Sequence, residues 1–576
     1  MFWRRKPQPP APAPAAPYPP DGPPAVVAAV RGSLAADATR TRPVGRLHGR
    51  GGAGPAIAAD WDACWLDGQP VATLADWADL LAANRLADVR GAFVVAWREP
   101  DGTQHLARDG LGERTLFYTP DQGGLAYGPS PGSLAALAGG RIDALGVARY
   151  LTYAYSPGPG TLVEGVRELL AGEHLTCRAG QVTSRRFWRL PAEGDEALRE
   201  AGLLGHPLDE EGLRGHLRAT LETAVRRRLA PGQPMAATLS GGIDSSLVVA
   251  LAAALHDAPL HTYSIAFGPE HRDELPFSSL LARHCGTRHT VLELRPDAVV
   301  AYLDETIAAL AEPNGDPLTV PNALLFREAA QVSGYVLNGE GGDPTFGGPK
   351  NLPMLLAELL GHRAPPGEGQ TYVRERAYLA AHQKCYDELD ALLAPDLRAA
   401  IAGDRLEAEL VADLADPRFP TLVNRLMAVN VAFKGAHHIL PKVDALSYPS
   451  GVLPRSPLFD RDVVATAFAL PAPMKLRGAV EKWLLKEAVR DLVPQAIRDR
   501  PKSGMLVPVE GWFQGPLLPL ARERLLEGLV PTGLVERRYV EDLLAGRLGG
   551  LRPRRGVKIW LLLTLEAWLR GQGLAK

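Results

Sequence analysis

The stretch MAATLSGGIDSSLVVALAAAL, residues 235–255, limits the fold of this chain more than any other feature. A short apolar run ends at Leu239, a polar loop with two glycines follows, and a longer apolar run begins near Ser246. The lengths of the runs predict a buried strand, a tight turn and a helix. Because strands that alternate with helices build parallel sheets, we expect an α/β domain here.

The loop between the two runs has the composition of an anion site. Glycines let the backbone approach a ligand closely, and the free N–H groups at a helix start favour negative charge. Hydroxyls of Ser240, Ser245 and Ser246 add donors, which favours a phosphate. Asp244 would repel that phosphate unless a cation such as Mg²⁺ bridges the two. A capped glycine turn is the commoner reading of a lone Gly-Gly pair, but the whole string favours a phosphate site.

A second glycine-rich loop follows another strand-like run, in GYVLNGEGGDPTFGG, residues 334–348. It carries Glu340 and Asp343. If both strands belong to one parallel sheet, both loops lie at its carboxyl edge, where Asp244 and Asp343 could share one Mg²⁺. Taken alone, this loop is equally well explained as a surface turn with incidental acids.

Length and composition exclude several classes of protein. A chain of 576 residues predicts two to three domains. A net charge of −2 gives no global field for nucleic acid or an anionic membrane, and no apolar run reaches the roughly 20 residues that span a bilayer. Four scattered cysteines argue against a disulfide framework or a zinc site and favour a reducing cytoplasm.

Shifts in composition divide the chain into four segments. We expect a disordered, proline-rich tail over residues 1–24, a sheet-rich domain over 25–191, a linker over 192–212 and the α/β domain over 213–576. Within the α/β domain the predicted elements are a helix over 213–229, a strand over 235–239, a helix over 246–256, a strand over 260–267 and a helix over 277–285.

SGGIDSS and NGEGGD, in this order, resemble the synthetase domain of the asparagine synthetase family. The strings HTYSIAFG, LPKVDALS, PRSPLFD, EKWLLKEAV and RDRPKSGMLVP match further blocks of the family in the correct order. The resemblance implies an α+β, Ntn-hydrolase-like β-sandwich domain followed by a doubly wound, parallel-sheet ATP pyrophosphatase domain with added helices. It also implies that ATP and Mg²⁺ are used to adenylate a carboxylate with release of pyrophosphate.

The resemblance assigns a role to each matching residue. Contact with the nucleotide is implied for Leu239, Ile265, Asn338 and Gly339. Contact with the phosphates is implied for Ser240, Gly241, Gly242, Asp244 and Ser245. Asp244 and Asp343 would hold Mg²⁺, Glu340 would take a proton from the attacking amine, and Lys502 would stabilise the charged intermediate. Pro344 stands where the family usually has Glu, which puts the metal geometry in question.

Residues 86–137 resemble the class II glutamine amidotransferase domain, in which an N-terminal cysteine releases ammonia from glutamine. Arg108 and Asp109 match family positions near bound glutamine. The family's cysteine directly follows the initiator Met, but position 2 here is Phe, and Cys64 is far downstream. Because this chemistry needs the thiolate and its activating amine together, we predict a domain without glutaminase activity.

Without ammonia from glutamine, another amine must attack the acyl-adenylate. The leading hypothesis is a macrolactam cyclase like those of lasso peptide biosynthesis, with a precursor peptide as substrate and leader-binding and protease partners. A β-lactam synthetase is disfavoured because that group carries Tyr where this chain has Glu340. An asparagine synthetase, a β-lactam synthetase-like enzyme and a non-catalytic nucleotide-binding protein remain as alternatives. Nucleic acid and membrane are not expected partners.

Overall fold

The computed structural model describes residues 57–268, 274–348, 372–382, 384–500, 505–548 and 554–574, together with the backbone of strand β1 (Val26–Ala29). The predicted tail over residues 1–24 lies outside the described residues. In the described part of the chain, no helix combines the length and the apolar character needed to cross a bilayer.

The first domain is a sandwich of two antiparallel sheets. Its strands are β2 (Ile57–Leu66), β3 (Gln69–Pro70), β4 (Arg90–Arg98), β5 (Gln104–Arg108), β6 (Phe117–Asp121), β7 (Gly124–Gly128), β8 (Arg167–Glu168), β9 (Glu173–Arg178) and β10 (Gln181–Arg186). One sheet has the order β10-β9-β5-β4-β2-β3 and the other β7-β6-β8. Leu106, Leu125 and Leu175 are among the side chains buried between them. The predicted β-sandwich is therefore confirmed.

The second domain is built on a parallel sheet. Its further strands are β11 (Met235–Thr238), β12 (Leu260–Ala266), β13 (Arg288–Glu293), β14 (Tyr335–Leu337) and β15 (Leu453–Arg455). The spatial order is β1-β13-β12-β11-β14-β15, and every pair is parallel. The chain winds outward from β11 on one side and then on the other, so the sheet is doubly wound, as predicted. In such sheets the ligand crevice opens at the carboxyl ends beside the strand where the direction reverses, here β11.

Helices cover both sheets and fill the C-terminal half. The first domain contains Leu74–Ala82, Pro131–Leu134 and Ala144–Tyr153. The α-helices from residue 195 to residue 346 are Asp195–Glu200, Glu210–Arg226, Ile243–Leu255, Leu275–Cys285, Pro296–Ala308, Thr319–Ala329 and Gly342–Phe346. Those that follow are Val373–Ala381, Leu389–Leu392, Pro395–Ala400, Val411–Leu414, Leu422–Val429, Leu440–Ser447, Arg461–Ala469, Ala472–Lys475, Trp483–Ala488, Gln495–Arg498, Val509–Gln514, Leu518–Glu523, Arg537–Ala545 and Arg555–Gly571.

The remaining elements are short or unusually wound. Helices of the tighter 3₁₀ type cover Leu86–Asp88, Tyr386–Glu388, Leu406–Leu410, Tyr448–Ser450, Pro457–Phe459 and Val530–Thr532. The wider π-helices are Asn430–Ile439 and Arg524–Leu529. A two-stranded hairpin consists of β16 (Leu476–Arg477) and β17 (Val480–Glu481).

Two predicted boundaries are wrong. Strand β1 pairs with β13 of the parallel sheet, so the first domain does not begin at residue 25. Residues 192–212 are not a loose linker, because the helix Asp195–Glu200 packs on the helix Arg461–Ala469 with Ala197 fully buried. Glu193 also accepts hydrogen bonds from the backbone N–H and the hydroxyl of Thr421, at 3.0 and 2.9 Å. The polar composition of this stretch reflects its ion-pairing surface.

Buried ion pairs join the two domains. The Arg455 guanidinium donates to both carboxylate oxygens of Asp62, at 2.8 and 2.7 Å, and neither side chain is more than 9% exposed. Arg228 lies 3.3 Å from Glu113, whose pKa is raised to about 8 by burial. Separating the domains would therefore break the buried pair of Arg455 with Asp62 and expose both groups to water.

Candidate active site

The first glycine loop (Ser240–Gly242) carries the chain from β11 into the helix Ile243–Leu255. Gly241 has a φ of +77°, and a Cβ there would lie 2.6 Å from the backbone nitrogen of Ser278, so only glycine fits. Gly242 is the N-cap in extended conformation, which is why the helix begins earlier than predicted. The Ser240 and Ser245 hydroxyls lie 3.1 Å apart at this helix start, where the free N–H groups favour an anion such as phosphate.

The second glycine loop (Asn338–Gly341) follows β14 and touches the first helix turn. A Cβ on Gly339 would lie 2.6 Å from Cα of Ser245, and one on Gly342 would lie 2.9 Å from Cβ of Asp244. Both distances are closer than real Cβ contacts, so Gly339 packs on the backbone of Ser245 and Gly342 packs on the side chain of Asp244. The predicted meeting of the loops at one sheet edge is confirmed.

The two predicted metal ligands face one cation, but that cation is a lysine. Nζ of Lys482 lies 2.8 and 2.6 Å from the carboxylate oxygens of Asp244 and also donates to Asp343. Lys482 is 1% exposed and has a φ of +54°, a left-handed conformation that is uncommon outside glycine. Strain of this kind is concentrated at functional sites. Lys482 lies in the string EKWLLKEAV, and no role for it was predicted from the sequence.

The carboxylate pair also suits Mg²⁺. Asp244 and Asp343 converge on one point, and Mg²⁺ is commonly held by one or two carboxylates plus phosphate and water. Within the described residues no group of three or more acidic, His or Cys side chains forms a complete metal cage. Phosphate oxygens would therefore have to complete the coordination.

Pro344 leaves this arrangement intact. It occupies the first turn of the helix Gly342–Phe346, where a missing N–H removes no helical hydrogen bond. Asp343 still turns its carboxylate toward Lys482.

A cavity of about 310 Å³ opens at this edge of the sheet. Its lining includes the predicted residues Leu239, Ser240, Gly242, Asp244, Ser245, Ile265, Asn338, Gly339, Glu340 and Asp343. Gly241 lies behind this wall. Nδ2 of Asn338 is buried and has no hydrogen-bond partner within the described residues, which suits a nucleotide contact. The Arg500 guanidinium donates a hydrogen bond to the carbonyl of Gly241 at 3.3 Å. Lys502 lies outside the described residues, so its role stays a prediction.

The opposite wall of the cavity holds residues that the sequence analysis missed. Nζ of Lys442 lies 2.6 Å from the Asp316 carboxylate, and both line the cavity. Burial disfavours the charged form of both side chains. Even so, Lys442 holds the pKa of Asp316 below its usual range. In turn, Asp316 and Glu340 raise the pKa of Lys442. Asn430, Lys434 and His438 of the π-helix complete this wall. No local motif marks these residues, because packing between distant segments brings them together.

The predicted glutamine-site residues have interior structural contacts. Arg108 is fully buried and donates to Glu168, at 2.7 Å, and to the carbonyl of Ala436 in the second domain, at 3.0 Å. Asp109 accepts hydrogen bonds from five backbone N–H groups, those of Phe93, Leu111, Gly112, Glu113 and Arg114. Their proximity to bound glutamine stays a prediction.

Cys64 does not resemble a nucleophile. Its thiol is 3% exposed and lies 3.3 Å from the carbonyl of Ala92. Burial, and next the nearby Asp62, raise the pKa of the thiol well above its ordinary value. A thiol held in its neutral form is unreactive.

A family model described as asparagine synthase matches residues 216–570, more than half of the chain. The chain belongs to the asparagine synthase family. A model described as a glutamine amidotransferase domain matches residues 74–188. Membership makes the chain an ATP-dependent carbon–nitrogen ligase, and the predicted family and use of ATP are confirmed.

Three relatives illustrate the range of the asparagine synthase family. A Mycobacterium bovis protein, provisionally named a glutamine-hydrolyzing asparagine synthetase, is 28% identical over 527 residues, which cover 84% of this chain and 77% of that protein. The glutamine-hydrolyzing asparagine synthetase 1 of Bacillus subtilis is 23% identical over 509 residues, which cover 84% and 78% of the two chains. The carboxyethyl-arginine beta-lactam-synthase of Streptomyces clavuligerus is 24% identical over 291 residues, which cover 50% and 43%.

Proposed function

We propose that the enzyme joins a carboxylate of a peptide to an amine of the same peptide, as a macrolactam cyclase, and does not hydrolyse glutamine. The observation that carries this proposal is the single cavity that gathers the phosphate loop, the Asp244–Asp343 pair and Glu340. The buried Cys64 of the first domain supports the absence of a glutaminase. An adenylation site beside a domain whose Cys64 is buried favours an amine from the substrate.

The reaction begins when a carboxylate oxygen of the substrate attacks the α-phosphorus of ATP. The bond to the β-phosphate breaks, and pyrophosphate leaves into the helix start at Ser240 and Ser245, where N–H groups and hydroxyls stabilise its charge. Lys482 offsets the negative charge of Asp244 and Asp343 beside it.

The second step joins the two halves of the product. The substrate amine attacks the acyl carbon, the carbon–oxygen bond to the phosphate breaks, and AMP leaves. Glu340 lines the cavity and can accept the proton that the nitrogen loses. A magnesium ion bound by Asp244 and Asp343 would neutralise phosphate charge during this chemistry.

Isotope exchange tests the first half of the proposal. With Mg²⁺, ATP and a suitable peptide carboxylate, the enzyme should exchange labelled pyrophosphate into ATP. Glu340→Gln should keep this exchange and lose amide formation about 100-fold, because only the proton acceptor is removed. If peptides, aspartate and other carboxylates all fail to support exchange, only the alternative of a non-catalytic nucleotide-binding protein remains.

Glutamine turnover tests the second half. We expect no release of glutamate when glutamine is added at saturating concentration. Release of glutamate in step with amide formation would contradict the proposed role of the first domain.

The alternative of an asparagine synthetase rests on the names of the relatives and on Glu340. Aspartate with ammonium would then support both exchange and asparagine formation, whereas peptides would support neither. The cyclase proposal predicts the reverse.

Partners and location follow from the cyclase proposal. A precursor peptide would be the substrate, and leader-binding and protease proteins would act with the enzyme. The cytoplasm suits it, since its four cysteines are free thiols.

A further inference from the structure

The π-helix Asn430–Ile439 is an unusual wall for a substrate cavity. π-helices mostly occur as single-turn bulges, often at functional sites, whereas this one covers 10 residues. Pro441 lies just after this π-helix. In an α-helix the proline ring would clash with the carbonyl of His437, and proline has no N–H to donate to that carbonyl. Both effects favour a wider turn.

The wider turn sets three polar side chains in a row along the cavity. A π-helix closes its hydrogen bonds between residues five apart, so residues about four to five positions apart share a face. Asn430, Lys434 and His438 have this spacing, and all three line the cavity.

His438 differs from the other two in having both ring nitrogens buried without a hydrogen-bond partner in the described residues. Its ring stacks on Tyr155 of the first domain, with centroids 4.8 Å apart and planes at 15°, so its orientation is fixed. Burial, and next Lys442, lower the pKa of His438 well below its ordinary value, which keeps the ring neutral. A neutral imidazole offers one acceptor and one donor.

We propose that His438 is a specificity-determining residue that accepts a hydrogen bond from the primary amine of the attacking substrate. Glu340 and Asp316 line the same cavity as His438, so the cavity presents three acceptors to a group rich in N–H donors. The residues predicted to contact the nucleotide lie on or beside the glycine loops and at Ile265 of β12, which leaves the π-helix residues for the amine. This inference rests on the proposed function, since it names the pocket of the second substrate.

Competition between two nucleophiles tests the role of His438. An acyl-adenylate formed from any active carboxylate can be captured by hydroxylamine, which is too small to need the pocket, or by glycinamide, a probe for a peptide N-terminus. In His438→Ala we expect pyrophosphate exchange to stay unchanged, the KM for glycinamide to rise about tenfold, and the product ratio to shift toward the hydroxamate. His438→Asn, which retains an acceptor, should restore part of the glycinamide reaction.

His382→Ala is the matched control. This ring also packs among aromatic side chains, Tyr153 and Tyr378, and its Nε2 has no partner in the described part of the chain. It does not line the cavity. We expect its product ratio to equal that of the wild type.

The outcomes separate this inference from the proposed function. An unchanged product ratio in His438→Ala would overturn the inference alone, as would equal shifts in His438→Ala and His382→Ala. Loss of exchange in His438→Ala would also overturn it, because the ring would then serve adenylation or folding. If none of the carboxylates tested supports pyrophosphate exchange by the wild type, the proposed function is refuted, and this inference with it.

Discussion

At the scale of single residues, Lys482 has the most demanding position in the site. It is almost completely buried, its backbone is left-handed, and its ammonium joins the carboxylates of Asp244 and Asp343. Without the ammonium, two like charges would face each other in a site of low dielectric. A cation is therefore needed there at every stage, whether or not phosphate is bound.

Lys482→Met should reduce pyrophosphate exchange about 100- to 1,000-fold, because charge stabilisation at the phosphates is lost while the side chain keeps its length. Lys486→Met is the control, since Lys486 lies in the next helix turn and pairs with Glu481 at 3.4 Å, away from the cavity. Pyrophosphate exchange rates of both folded variants test whether Lys482 acts at the phosphates. Equal rates would remove Lys482 from the site.

Lys475 predicts how stability depends on pH. It is 2% exposed, and burial lowers its pKa to about 7, whereas the unfolded value is near 10.5. Between these values the unfolded chain binds more protons, so this residue makes the protein more stable as pH rises from about 7 to about 10. Lys475→Met lacks this contribution. We expect the unfolding free energy of the wild type to gain on the order of 3 kcal/mol relative to the variant over that range.

Urea titrations of both proteins at pH 7 and pH 10 measure this difference. A constant gap between the two proteins would mean that Lys475 stays charged in the folded state.

The sequence predicted residues well wherever a local string carries the chemistry. The two glycine loops hold their predicted residues at the cavity, because strand, turn and helix are set by neighbours in the chain. Lys442, Asp316 and His438 could not be predicted, since each is an ordinary residue until helices from different segments pack together. Lys482 could have been suspected, because it is a lysine within EKWLLKEAV, a string that resembles the family. The neighbouring residues do not indicate its left-handed backbone.

At the scale of elements, the two glycine loops act as one unit. Gly339 lies against Ser245 and Gly342 against Asp244, so neither loop can move without the other. The distance between the phosphate site and Glu340 is fixed by this backbone contact.

Gly339→Ala should separate the loops and weaken ATP binding at least tenfold, because a methyl group would overlap the backbone of Ser245. Gly334→Ala is the control at the other end of β14, where an added Cβ meets no atom within 4 Å. The KM for ATP in the exchange assay measures the effect. Similar KM values for both variants would show that the loops tolerate separation.

Element boundaries were predictable within a few residues for strands β11 and β12 and the helices beside them. The π-helix was not predictable from apolar spacing, because that spacing does not distinguish a π-helix from an α-helix. Pro441 is a sequence feature that could have indicated it. The pairing of β1 was not predictable either, because a short apolar run contains no information about which sheet it joins.

At the scale of the whole molecule, the domains are joined by charges rather than by apolar surface alone. Arg455 pairs with Asp62, stacks on the Tyr335 ring at 4.0 Å and donates to the carbonyl of Arg228 at 2.7 Å. It therefore links the edge of the parallel sheet to strand β2 of the first domain.

Arg455→Met should lower the unfolding free energy by about 3–5 kcal/mol, because the buried Asp62 carboxylate would lose the guanidinium that donates to both of its oxygens. Arg85→Met removes an Arg–Asp pair of similar geometry, with Asp67, on the surface, and should cost much less stability, because water screens an exposed pair. Chemical denaturation of the full chain measures both. A small effect of Arg455→Met would mean that water reaches the interface.

The unequal construction of the cavity has a consequence for protein engineering. Beside the phosphates the two glycine loops pack so closely that an added Cβ at Gly339 or Gly342 would displace a loop. The π-helix contributes Asn430, Lys434 and His438 to the lining, and none of the three belongs to a glycine loop. Directed evolution toward new amines should therefore place its diversity at positions 430, 434 and 438 and leave both glycine loops untouched.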